Sequence, residues 1–178
     1  MGVKQETAIG IAASVIAILA IVVSVWQGVE QRRHNRLSVK PALNFDTDSA
    51  VDGTILSVAL KNAGTGPAII KQFTLYIDDR PVPAIDGDVW LPAEKILGLE
   101  DPNIHFTDYC YYAGDVMPAN ETQHIINIDR KDYENLADKE KWKKAISRIK
   151  LKVVYASIYE EQYETRFPLT HHPDKGHN

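Results

Sequence analysis

Residues 69–77 read IIKQFTLYI. In this stretch Ile69, Phe73, Leu75 and Ile77 alternate with Ile70, Gln72, Thr74 and Tyr76, the two-residue period of a strand with one face buried. The same alternation occurs upstream in Leu56, Val58 and Leu60, and downstream in Ile149, Leu151, Val153 and Tyr155. Working outward, the spacing predicts strands at about 39–46, 54–61, 69–78, 104–111, 122–128, 148–157 and 162–168. Seven short strands imply a two-sheet sandwich.

Two stretches interrupt the strand pattern. Residues 88–99 contain Trp90, Ile96 and Leu97, and residues 132–146 are densely charged. Both read as helical insertions. The second has Asp129 or Asp132 as a cap and offers Tyr133, Leu136, Ala137, Trp142 and Ala145 for partial burial. Residues 62–68, NAGTGPA, hold two glycines, an asparagine and a proline, each suited to a turn. A phosphate-binding loop would be followed by a helix carrying Lys and Ser or Thr, whereas here a strand follows, so the segment reads as a connection.

Toward the N-terminus, residues 7–26 read TAIGIAASVIAILAIVVSVW, with no charge between Glu6 and Glu30. At about 1.5 Å per residue such a run matches a hydrocarbon core of roughly 30 Å, and it predicts a single transmembrane helix. A cleaved signal peptide would have a basic leader and a shorter apolar run. Trp26 falls at the expected headgroup level, and the run QRRHNR at 31–36 brings Arg32, Arg33 and Arg36 just beyond it. With Lys40 these cations outweigh Lys4 on the other flank. The charge bias predicts an inner-membrane protein with its C-terminal domain in the cytoplasm. Gly10, Ala13, Ala17, Ala20 and Ser24 form a small-residue stripe suited to self-association or to a partner's helix.

The expected organisation is a transmembrane helix at 7–26, a basic juxtamembrane helix or linker at 27–38 ended by Lys40-Pro41, a β domain at 39–169 and a disordered tail at 170–178. The fold class expected is mainly β. Of 178 residues with formal net charge −4, those from Pro41 onward include 15 Lys and Arg against 22 Asp and Glu, a net of −7. Nucleic-acid binding rests on a basic face, and this balance argues against it.

HNRLSVKPAL at 34–43, LKNAGTGPAII at 60–70 and VVYASIYEEQYETRF at 153–167 resemble a recurring group of uncharacterised bacterial single-pass membrane proteins. That resemblance implies one N-terminal span, a basic junction and an immunoglobulin-like β-sandwich. It implies no activity and no site residues.

The residues that could carry chemistry form no motif. His34, His105, His124, His171, His172 and His177 make no HExxH pair and have no cysteine partners for zinc. His171, His172 and His177 with Asp174 lie in the polar tail, so no metal or cofactor is expected. The single cysteine, Cys110, sits among tyrosines and reads as a structural thiol. Tyr109, Tyr111, Tyr112, Tyr155, Tyr159 and Tyr163 fill sheet faces or present an aromatic surface to a partner. Lys139, Lys141, Lys143, Lys144, Arg148, Lys150 and Lys152 are the most basic run, and the first five are the candidate contacts for an anion or a lipid. These observations lead to a membrane-anchored, non-enzymatic interaction module. The alternative is a ligand-gated membrane effector or sensor for a small anion.

Overall fold

The computed structural model describes residues 2–100 and 104–168, with side chains from residue 14 on except at 15. The chain divides into two compact units, Met1–Ser38 and Val39–Asn178. The first is the helix α1 (Gly2–Ser38), whose side chains at 16–38 are exposed. Among the described residues no helix is long and apolar enough to cross a membrane, which overturns the transmembrane helix expected at 7–26. The uncharged stretch of α1 ends at Val29. Glu30, Arg32 and Arg33 follow it directly.

In the second unit the order is β1 (Leu43–Ser49), β2 (Ile55–Asn62), β3 (Ala68–Ile77), β4 (Arg80–Pro81), α2 (Trp90–Leu97), β5 (Thr107–Asp108), β6 (Val116–Met117), β7 (Thr122–Asn127), α3 (Arg130–Asn135), α4 (Lys139–Ser147), β8 (Ile149–Ala156) and β9 (Gln162–Phe167). One sheet runs β1-β2-β7-β5. The other runs β4-β3-β8-β9, with β6 also paired to β3. Every pairing is antiparallel.

The mainly β, immunoglobulin-like sandwich is therefore corrected to a mixed helix and sheet fold with two antiparallel sheets. Among the described residues the four helices hold more residues than the nine strands. Most of that helix is α1, and within the second unit the helical insertions belong to the core. Trp90 of α2 and Trp142 of α4 are almost wholly buried, and their indole N–H groups donate to Tyr109 O at 2.8 Å and Ile55 O at 2.9 Å. A buried indole costs little once its one donor is answered, and it brings a large apolar area with it. The charged segment expected as one helix is two. Leu136, with ψ near 130°, ends α3, and the Asp138 side chain caps α4 by accepting from Lys141 N at 3.2 Å.

The stretch 69–77 is a strand, but its parity changes along its length. Ala68 and Ile70 are buried at one end, and Leu75 and Ile77 at the other. The register with β8 shifts between Ile70 and Gln72. An extra residue in a strand turns every later side chain to the opposite face. Ile70, rather than Ile69, therefore shares the core with Leu75 and Ile77.

The NAGTGPA connection grips the residues that lead into β1. Asn62 is fully buried. Its Nδ2 donates to Gly66 O at 2.9 Å, Pro118 O at 3.0 Å and Met117 O at 3.2 Å, while its Oδ1 accepts from Gly64 N at 3.1 Å and Ala42 N at 3.2 Å. Ala63 N donates to Ala42 O at 2.8 Å, and Thr65 N to Lys40 O at 3.0 Å. A Cβ on Gly64 would overlap Lys40 O and Ala42 N, and one on Gly66 would overlap Val39 O. Close backbone approach is what requires glycine at both positions.

Candidate functional site

Around Tyr109 the fold leaves an aromatic edge. The β6 strand pairs with β3 only at Ala68 and Ile69, and β4 only at Tyr76 and Ile77. Between these short covers Phe73, half-buried, meets Tyr111 at 6.5 Å between ring centroids, and Tyr111 meets Tyr109 edge-on at 5.0 Å. Tyr111 is buried and anchors the group, whereas Tyr109 is 38% and Tyr112 51% exposed. Val116 and Ile85 are also exposed. The turn 85–88 closes with mutual backbone bonds between Ile85 and Asp88, and Gly87, at φ 87°, lies against the Tyr112 ring. Asp115 holds Tyr112 N through its carboxylate at 2.8 Å. The tyrosines are thus rigidly presented, which lowers the entropy lost when a partner docks on them.

Carboxylates ring this edge. Burial, then the charges of Asp115 and Glu121 among its neighbours, raises the Tyr109 phenol above its ordinary value. Burial likewise raises Tyr111, with Tyr109, Glu121 and Asp115 adding to the effect. The Tyr112 phenol is raised chiefly by its hydrogen bond with Cys110, with Asp88 and Asp115 contributing. Asp108 is raised by burial and by Asp88, and Glu94 by burial and by Asp108, Asp88 and Glu100. The edge combines apolar rings with several carboxylates, a surface suited to cations.

Cys110 is half-buried, packs against the core and acts on the Tyr112 phenol. Of the other tyrosines, Tyr155 is buried and its hydroxyl accepts from Leu43 N at 3.1 Å. Tyr163 stacks on Tyr155 at 5.5 Å and lies under the Lys40 ammonium at 5.2 Å. These two serve the packing beside β1, so the expected group of six divides into an exposed edge and a structural pair. Tyr159 is exposed at the β8–β9 turn.

The basic run is not brought together. Lys139 lies over the Tyr133 ring at 5.3 Å, and Lys143 reaches Glu140 at 3.9 Å. Lys141 and Lys144 lie on the same helix α4. Arg148 instead holds Asp78 with two nitrogens, at 2.6 Å and 3.0 Å. That pairing holds the Asp78 carboxyl below the usual carboxylate range. Lys150 and Lys152 continue on β8, bonded to Asp79 and Glu164.

On α1, Ala17, Ala20 and Ser24 are exposed, and Ser24 Oγ donates to Ala20 O at 2.7 Å. Gly10 and the Ala13 side chain lie before the described side chains of α1, and residues 170–178 with His171, His172, His177 and Asp174 lie outside the described residues. Trp26, Arg32, Arg33 and Arg36 are exposed on the same helix.

One pairing had no signal in the sequence. Ser57 Oγ and His124 Nδ1 stand 2.7 Å apart across β2 and β7, 67 residues apart in the chain. Ser57 is only 3% exposed, so a substrate carbonyl cannot reach its hydroxyl and the contact holds two strands together. Among the described residues no three His, Cys, Asp or Glu side chains are placed to hold a metal ion.

No curated protein and no solved structure matches the chain. Residues 7–172 match the family model described as a domain of unknown function, DUF8453, and the chain belongs to that family.

Proposed function

We propose that the unit beginning at Val39 is a non-enzymatic interaction module, and that it takes a cationic, partly apolar segment of a partner protein on the tyrosine edge. The observation that carries this reading is the exposed pair Tyr109 and Tyr112, with the Asp115 carboxylate bonded at Tyr112 and the charges of Asp88, Asp115 and Glu121 acting on their phenols. Tyrosine supplies large contact area with few rotatable bonds, and it is enriched at interface centres. The carboxylates steer positive charge toward it and reject acidic partners.

The test is calorimetric titration of the full chain with peptides of equal length, one alternating Arg and Leu and the other Glu and Leu. The Arg–Leu peptide binds, its affinity falls as salt is added, and Tyr112→Ala reduces it by about tenfold or more with unchanged thermal unfolding. Equal binding of the two peptides, or full binding by Tyr112→Ala, would defeat the proposal.

A further inference from the structure

The outer face of the second sheet carries a groove of about 290 Å³ that is independent of the tyrosine edge. Its walls follow from the strand register. Tyr76 pairs with Lys150 across β3 and β8, and Lys152 pairs with Arg166 across β8 and β9. Cross-strand partners share a face, and residues two apart on one strand share it too, so Tyr76, Lys150, Lys152 and Arg166 all stand on this side. Pro168 adds apolar surface at one end, whereas Leu151 and Phe167 turn their side chains into the core and line the groove with backbone.

Two cations placed directly opposite each other on neighbouring strands repel. Here Glu164 offsets that repulsion by bridging both, with Lys152 Nζ at 2.9 Å from one oxygen and Arg166 Nε at 2.5 Å from the other. Lys150 is paired with Asp79 at 2.5 Å. Three cations against two carboxylates leave one positive charge in surplus at the groove. An ammonium has three N–H donors and a guanidinium five, and the carboxylate contacts described use one on each. The volume is close to the lower end of small-molecule sites, about 300 Å³.

We propose that this groove binds an anionic group, a phosphate or carboxylate, carried on a small organic body that lies against Tyr76 and Pro168. Glu164 is then an internal counter-ion, competing with the ligand for Lys152 and Arg166. Its carboxyl is held below the usual range by Lys152 first and Arg166 second, so it stays charged at neutral pH.

This competition gives a test with a sign that a merely structural ion pair would not produce. The full chain is titrated by calorimetry with phenyl phosphate, inorganic phosphate and benzyl alcohol, and in a separate arm with phosphatidylcholine vesicles with and without phosphatidate. Phenyl phosphate binds more tightly than inorganic phosphate, and benzyl alcohol gives no heat. Glu164→Gln tightens phenyl phosphate binding several-fold, while Lys152→Gln weakens it by about tenfold. Lys150→Gln weakens it as well and serves where Lys152→Gln unfolds. Binding to phosphatidate vesicles alone identifies the source of the anion as a lipid headgroup, and binding of phenyl phosphate alone identifies a free metabolite. Failure of both anions, or an unchanged or weaker affinity in Glu164→Gln, overturns the proposal.

Discussion

Around Asn62 and along the outer face of β8 and β9 the chain uses polar side chains in opposite ways. Asn62 is uncharged and fully buried, and both ends of its amide are engaged by backbone from three separate segments. Lys150, Lys152, Glu164 and Arg166 are charged and remain substantially in contact with water. A buried amide has no alternative partner, so removing it strands several backbone groups at the full desolvation cost. A solvated ion pair exchanges its partner for water or for another ion with little change in free energy. The first arrangement fixes a structure, whereas the second is free to be rearranged by a ligand.

This contrast is broken most directly at the clamp. Gly66→Ala, whose new methyl would overlap the Val39 carbonyl, should cost more than about 3 kcal/mol, and Asn62→Ala about 3 kcal/mol. Denaturant unfolding of each variant measures these losses, and a loss under about 1 kcal/mol for both would show that the clamp is ornamental to stability. Tyr155→Phe removes only the hydroxyl that accepts from Leu43 N and should cost about 1 kcal/mol.

Titration sharpens the comparison. Glu164 has a folded pKa lowered from 4.5, chiefly by Lys152. The stability it contributes is fully present above pH 4.5 and is lost as pH falls through the folded value. Tyr155 has a phenol raised from 10.0 by burial. Its contribution is fully present below pH 10 and is lost as pH rises through the folded value. Urea unfolding across the pH range should therefore show Tyr155→Phe flattening only the alkaline limb, and Glu164→Gln flattening only the acid limb. At neutral pH Glu164→Gln should change stability by no more than about 0.5 kcal/mol, the smallest of these effects. A larger loss would mean that the sheet face, like the clamp, is structural.

β2, β3 and β8 were legible because each has a buried face and at least three alternating apolar residues. β2, β3, β7, β8 and β9 begin and end within about two residues of the expected positions, the margin usual for element ends. β4 and β6 hold two residues each, too few to show a period. The expected strand at 104–111 pairs only at Thr107 and Asp108. The bulge at Lys71 was hidden because Ile69 and Ile70 are equally apolar, and only the cross-strand register distinguishes them. NAGTGPA was legible as a connection, but its glycines answer a crowding by residues 39–42 that local sequence does not reveal. The same limit applied to the sites. The tyrosines at 109–112 were visible as a group, while Lys152, Glu164 and Arg166 became neighbours only through the pairing of β8 with β9.

The clamp also sets how the unit would respond to tension. A pull arriving through Ser38 reaches Lys40 and Ala42, where bonds from Ala63, Thr65 and Asn62 must yield together before β1 can move. A pull on the chain beyond Phe167 meets β9, which among the described residues lies at the margin of its sheet and pairs with β8 alone, first at Phe167 and Leu151. That strand can peel away one rung at a time. The fold is therefore mechanically polar, resistant to load from its N-terminal side and yielding from its C-terminal side.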